Sequence, residues 1–151
     1  LCRMHQDPVV MTHLGGVRAA DWTAGYLERN LRHWELHGFG LWILRERHGD
    51  EPIGRAVLRH LLVDGVDEVE VGYGFYEPYW GQGLATEVTK ACLRFGLDVL
   101  HFESIVGITG PANVGSQHVL AKCGLVYERA TDLDGAAVSL FRTPTGPQMR
   151  R

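Results

Sequence analysis

Positive charge is in short supply in this chain. Its 151 residues carry 15 Lys and Arg against 18 Asp and Glu, a formal net charge of −3 with eight histidines left neutral. General nucleic-acid binding needs a basic footprint that this balance does not supply. Cysteine is scarce as well: Cys2, Cys92 and Cys123 are too few and too far apart for a disulfide framework or a CxxC metal knuckle. The odd count, with no signal peptide evident, leads to the expectation of a reducing, cytoplasmic setting in which each thiol acts as a small buried hydrophobe. No stretch approaches the roughly 20 apolar residues that a membrane-spanning helix needs, so no membrane partner is expected. None of the eight histidines falls in HExxH or HxH spacing. His33 and His37 share a helical face but nominate no third ligand, so no metal is expected.

What remains is an ordinary globular composition, 45% hydrophobic and 22% charged, with glycine in excess at 19 of 151. Glycine at nearly twice its usual ~7% share, without low complexity, marks tight turns or close approach of the backbone to a ligand. No repeat or linker divides the chain, so the sequence reads as one domain over residues 1–143. A mobile tail is expected over 144–151. The start at Leu1, in mid-pattern and without Met, suggests a missing N-terminal element.

Hydrophobic periodicity orders the rest. Asp21–His37 reads as a helix, with Asp21 as N-cap, Leu27, Leu31 and Trp34 on one face, and Gly38 as the stop. Gly40–Glu46 and Ile53–Leu62 read as a hairpin, and Asp64-Gly65 turns the chain into a third strand, Val69–Tyr76. Gly72 and Gly74 interrupt that strand, which suggests a bulge or the close approach of another backbone. Leu84–Leu100 has the 3.6-residue period of a long amphipathic helix, followed by a strand at Phe102–Thr109 and a helix at Asn113–Cys123. Leu125–Arg129 and Ala137–Arg142 close the chain as two strands. The order helix, three strands, helix, strand, helix, two strands predicts an α+β (mixed α/β) fold rather than a repeating βαβ array.

The chemistry concentrates in Tyr79-Trp80-Gly81-Gln82-Gly83-Leu84-Ala85-Thr86, where the glycine-broken strand gives way to the long helix. A glycine-rich turn opening a helix gathers free backbone N–H groups at the positive end of the helix dipole, a natural anion site. No Walker lysine follows, and Gly81-Gln82-Gly83-Leu84-Ala85-Thr86 ends in threonine where a dinucleotide fingerprint needs glycine or alanine. A tight turn with no ligand, and a site for some other nucleotide phosphate, both remain open on this segment alone.

The segment resembles motif A of the GNAT N-acetyltransferases, Q/R-x-x-G-x-G/A, with Trp80 where Gln or Arg is commoner and Gly83-Leu84-Ala85 supplying the G-x-A. With Val71-Gly72-Tyr73 ahead of it, it is similar to the RimJ/RimL-like branch. A second block, Asn113-Val114-Gly115-Ser116-Gln117-His118-Val119-Leu120-Ala121-Lys122-Cys123-Gly124-Leu125, resembles N-x-x-S-x-x-V-L-x-K-x-G-F, with leucine for the last phenylalanine. Asp7-Pro8-Val9-Val10-Met11 resembles the branch's early D-P-x-V-M. The likeness covers most of the chain, lacking the first strand that relatives carry.

The resemblance implies a mostly antiparallel twisted sheet, splayed in the middle and flanked by helices. It implies acetyl-CoA as co-substrate, with its pyrophosphate on the amides of Gly81, Gln82, Gly83, Leu84, Ala85 and Thr86 beside Trp80. The pantetheine arm would lie along Phe75 and Tyr76, touched by Asn113 and Ser116 from the second helix. It implies direct attack by a primary amine, of a protein N-terminus or a small molecule, with no acyl-enzyme. Glu70 is the candidate base, and an N–H near Phe75 would hold the thioester oxygen. The proton for the departing thiolate comes in many relatives from a tyrosine at the position of Leu120; Ser116 is the substitute nominated here. The other reading within the same fold is an acyl-CoA-binding module with weak catalysis. Nothing points beyond a monomer or homodimer. Trp22, Tyr26 and Trp34 are expected in the core or along an acceptor groove, and Arg18, Arg29 and Arg32 in solvent.

Overall fold

In the computed structural model, which describes residues 1–145, six strands form one sheet in the order β1-β2-β3-β4-β6-β5. The strands are β1 (Leu41–Arg45), β2 (Pro52–Val63), β3 (Val66–Phe75), β4 (Val106–Thr109), β5 (Val126–Leu133) and β6 (Ala136–Arg142). Four α-helices flank it: α1 (Cys2–His5), α2 (Ala20–His37), α3 (Leu84–Arg94) and α4 (Val114–Lys122). The short α1 and a 3₁₀ turn at Val10–His13 carry no amphipathic period long enough to be read in the sequence. The tail expected from residue 144 lies outside the described residues from 146 onward.

Most expected elements form, and the differences have local causes. Ala19, not Asp21, caps α2; the Asp21 carboxylate instead accepts the N–H of Trp22 at 2.8 Å within the first turn. Gly38 ends that helix at φ 74°, the left-handed region open to glycine. The long helix keeps α geometry only to Arg94 and continues as one wider turn over Phe95–Val99, where the Leu100 N–H reaches the Phe95 carbonyl. Gly96 allows this turn to lie against the sheet, since a Cβ there would stand 2.6 Å from Ile105 Cδ1. The strand expected from Phe102 begins only at Val106.

Gly72 and Gly74 do not make a bulge, because β2 and β3 pair without a register shift from Val63↔Val66 to Gly54↔Phe75. They are glycines because neighbours press on them. A Cβ on Gly72 would meet Val57 Cγ1 at 3.2 Å, and one on Gly74 would meet Leu14 Cδ1 at 3.1 Å.

The main core lies between the sheet and α3/α4, built on Leu58, Val71, Leu93, Ile105 and Leu120. Leu120 drives its side chain against β4 at Gly107, where even one added carbon would stand 2.7 Å away. Arg142 joins three strands, donating to Glu68 at 2.7 and 2.8 Å and to Glu128 at 2.8 Å. Cys92 and Cys123 are buried as expected, whereas Cys2 is exposed.

Candidate active site

The fold opens a cleft because β3 and β4 are the only parallel neighbours and pair at just two positions, Glu70↔Val106 and Val71↔Gly107. The register with β2 decides which backbone groups face that opening. The Tyr76 N–H donates to Ile53 O, so the alternate residues Gly74 and Gly72 also turn their polar groups toward β2. Tyr73 and Phe75 turn theirs the other way, past the last rung with β4. A buried edge with unpaired N–H and C=O groups is a template for an added extended chain. The Phe75 carbonyl is taken by the Trp80 indole N–H at 2.8 Å, which leaves the Phe75 N–H directed into the gap.

The turn that follows closes one end of the cleft. Gly81 and Gly83 have φ of 73° and 78°, and a Cβ on either would meet nothing within 4 Å. Gly83 is the N-cap of α3 and offers no side-chain cap. Among the described residues, no protein acceptor takes the N–H groups of Gly81 to Thr86. Six amides at a helix N-terminus, on glycine-rich backbone facing open space, are an arrangement that suits an anion.

The cavity holds about 680 Å³ and is lined by Tyr73, Gly74 and Phe75 of β3, by the turn from Tyr79 to Thr86, and by Asn113, Ser116 and Lys122. That volume suits a ligand with a long arm. Of the residues expected at the cofactor, Phe75, Trp80, Gly81, Gly83, Leu84, Ala85, Thr86, Asn113 and Ser116 all line it. Gln82, also expected there, is not part of the lining, and its side-chain amide folds back on Pro78 O at 3.0 Å. Tyr76 stands apart: its N–H is spent on Ile53, and its ring lines a separate apolar groove beside α2. Asn113 caps α4 by accepting the Ser116 N–H at 3.1 Å, which leaves its NH₂ group for a ligand.

Two hydroxyls meet inside the cleft. Tyr73, on β3, donates to Ser116 Oγ on α4 at 3.2 Å. Burial holds the Tyr73 phenol above its ordinary pKa, so it is protonated at neutral pH. Tyr73 stood without a role in the sequence; the alternation that aims residues 73 and 75 at the same opening is the signal that finds it.

Glu70 is buried, 8% exposed, and lies on the opposite face of β3 from Tyr73 and Phe75. Its carboxylate pairs with Arg59 Nε at 2.8 Å across the β2–β3 ladder. It does not line the cavity.

No cysteine is poised as a nucleophile. Burial pushes the Cys92 thiol up to about 11, and burial rather than the helix dipole raises Cys123. Among the described residues no group of His, Cys, Asp or Glu could hold a metal ion, and no helix is long and apolar enough to cross a membrane.

On α2, Tyr26 is buried and Trp22 half-buried, stacked at 5.2 Å and 15°, while Arg29 and Arg32 are exposed. Arg18, expected in solvent, is half-buried over the Trp22 ring.

An unzipped pair of parallel strands, with free amides at one end and a hydroxyl pair alongside, makes a cleft that suits an extended ligand carrying an anionic group. Comparison with known proteins gives the family. The model of the acetyltransferase (GNAT) domain matches residues 1–126, and the chain belongs to that family. Its structure resembles the crystal structure of an acetyltransferase from Agrobacterium tumefaciens str. C58, with a TM-score of 0.84 at 22% identity over 95% of this chain and 82% of that one. It also resembles spermidine N-acetyltransferase from Vibrio cholerae, solved in complex with CoA and spermine, with a TM-score of 0.71 at 15% identity over 93% and 85% of the two chains. These two likenesses show the fold. In sequence it is 29% identical over 126 residues to the uncharacterized protein YkkB of Bacillus subtilis (strain 168), covering 83% of this chain and 73% of the relative.

Proposed function

We propose that this acetyltransferase takes its acetyl group from acetyl-CoA and delivers it to a primary amine in a ternary complex, within the RimJ/RimL-like branch. The observation that carries the reading is the two-rung β3–β4 pairing, which leaves the Phe75 N–H beside a cleft that ends on the Gly81–Thr86 amides. The cradle suits the diphosphate of the co-substrate, the Tyr73–Phe75 edge pairs with its amide-bearing arm, and the thioester it supplies is the electrophile.

This chain's residues then have distinct tasks. The Phe75 N–H donates to the carbonyl oxygen as that oxygen gains charge. Glu70 accepts the proton of the incoming ammonium through an intervening water, since its carboxylate lies across β3 from the cleft. Ser116 donates a proton to the departing sulfur and recovers one from Tyr73. The free cysteines and the net charge of −3 suit a cytoplasmic enzyme that does not act on nucleic acid, working as monomer or homodimer.

One observation favours a second reading. Glu70 is ion-paired and outside the cavity lining, and a leucine stands at position 120, which suits an acyl-CoA-binding module with little turnover. Calorimetry with acetyl-CoA, followed by CoA release over an amine panel, decides between them. Binding with amine-dependent release supports the enzyme; binding without release on any amine supports the module; no binding overturns both.

A further inference from the structure

On the face of the sheet that carries Glu70, three aromatic rings form a platform. Trp22 and Tyr26 of α2 stack at 5.2 Å, and His5 packs edge-on against both at 5.2 and 5.1 Å. His5 is fixed in turn by a 2.8 Å hydrogen bond between its Nδ1 and Thr23 Oγ1. Two guanidiniums rest on this platform: Arg18 Cζ lies 4.7 Å from the Trp22 ring centre and Arg55 Cζ lies 5.9 Å from that of Tyr26. Both push the nearby His5 below its ordinary pKa, behind the larger effect of burial.

These two arginines are left without anions. Neither forms a salt bridge among the described residues, whereas Arg59 on the same face has Glu70. Only four buried side-chain polar atoms among those residues lack a hydrogen-bond partner, and two of them are the Nε atoms of Arg18 and Arg55. Leaving a charged donor buried and unmet costs more than leaving a neutral one, and neighbouring cations repel. An oxyanion removes both penalties, and the planar fork of arginine suits a carboxylate.

The location ties Arg55 to the cleft, and Arg18 joins it through the shared Trp22–Tyr26–His5 platform. Arg55 is the cross-strand partner of Gly74, and a Cβ on Gly74 would stand 3.9 Å from Arg55 Nε. Gly74 and Leu14, which covers it, both line the cavity next to Phe75. The guanidinium therefore lies one strand thickness from where the acetyl carbonyl is held.

We propose that Arg18 and Arg55 bind the carboxylate of the amine acceptor, so that the substrate is a small amino acid-like molecule rather than a polyamine. The inference rests on the acetyltransferase reading above. A polycation would meet two arginines without a salt-bridge partner here, and the Glu70 carboxylate on the same face is engaged by Arg59.

The test compares amines that differ only in the anionic group: L-lysine with cadaverine, L-ornithine with putrescine, and phosphoethanolamine with ethanolamine. The carboxylated member of each amino acid pair is expected to show at least a tenfold higher kcat/KM than its amine. A preference confined to phosphoethanolamine, or equal or better use of cadaverine and putrescine, overturns the proposal. Arg18→Gln and Arg55→Gln should each raise KM for the carboxylated acceptor about 10- to 100-fold while changing kcat little. Both should leave acetyl-CoA affinity in place, and cadaverine, relieved of a like charge, should be used no worse than before. Arg55→Lys, which keeps the charge and loses the fork, serves where Arg55→Gln melts early, and should fall between. Equal losses on lysine and cadaverine, or no loss, overturn the proposal. Loss of preference with intact amine acetylation overturns this inference alone, whereas failure to bind acetyl-CoA removes the underlying reading with it.

Discussion

The Tyr73 hydroxyl donates to Ser116 Oγ at 3.2 Å, linking the free edge of β3 to the first turn of α4 across the cleft. Leu120, the position where a tyrosine would stand in many relatives, is fully committed to packing on Gly107 and cannot turn into the cleft. In the proposed mechanism the proton source therefore lies at the beginning of α4 rather than at its end, with β3 supplying the phenol. Ser116→Ala should lower kcat about 100-fold, and Tyr73→Phe about tenfold, because Ser116 then still donates but loses its resupply. Neither should move the affinity for acetyl-CoA more than a few-fold. Steady-state kinetics with calorimetry on the same samples checks this; a Tyr73→Phe enzyme with unchanged kcat removes the relay.

Glu70 tests differently, because it is half of an ion pair as well as a candidate base. Glu70→Gln keeps the shape and a hydrogen-bond acceptor for Arg59 but removes the proton sink. Turnover at neutral pH should fall about 100-fold and recover as pH rises and more acceptor amine is already deprotonated. A merely structural role predicts a lower melting temperature with no change in the shape of the pH–rate profile, and that outcome excludes Glu70 as base.

Gly83→Asp separates the cradle from the fold. The substitution puts a carboxylate at the N-terminus of α3, where it can cap the helix and complement its dipole, so the melting temperature should change by only a few degrees. Position 83 has φ 78°, a conformation aspartate tolerates better than most residues, and a Cβ there meets nothing within 4 Å. The same charge repels a diphosphate at contact distance. Acetyl-CoA binding should be lost by calorimetry; retained binding places the diphosphate elsewhere.

Which parts of this were legible before the fold was known follows from the range over which each signal acts. The glycine turn into α3 and the Asn113 cap are set by local backbone chemistry, and both form where glycine, asparagine and the helical period predict them. The two-rung pairing of β3 with β4 is non-local: nothing in Val106-Gly107-Ile108-Thr109 states how many rungs it will share with a strand thirty-odd residues earlier. Gly72 and Gly74 read as a bulge or as the approach of another backbone, whereas it is the side chains of Val57 and Leu14, brought in from elsewhere in the chain, that press on them. Arg18 looked solvated because a lone arginine in a glycine-rich loop carries no periodicity; its burial depends on Trp22 in the following helix.

The pH dependence of stability has a definite sign, set by His33. Its Nδ1 lies 2.8 Å from the Phe39 carbonyl, and its Nε2 accepts the His60 backbone N–H at 3.0 Å. The first contact requires a proton on Nδ1 and the second forbids one on Nε2, so the ring must be neutral to tie α2 to β2. Burial is the main cause that holds His33 below its ordinary value, and the His37 and His60 rings and the Arg59 guanidinium add to it. His37 and His60 flank it at 4.5 and 5.9 Å between ring centres, with Asp67 bound to His60 on the outer side. His5, likewise lowered by burial, acts in the same direction at the other end of α2. The unfolded chain takes up protons at these sites near pH 6.5, before the folded one does. Stability is therefore complete above that pH, declines as pH falls through it, and levels off below the folded values. The slope cannot exceed about 1.4 kcal/mol per pH unit for each such histidine. His33→Asn, which keeps a donor for Phe39 but cannot be protonated, should lower stability at pH 7.5 and flatten the decline between pH 7 and 5.5. Urea titrations across that range measure it; a mutant curve parallel to the parent's shows that His33 is not the group being titrated.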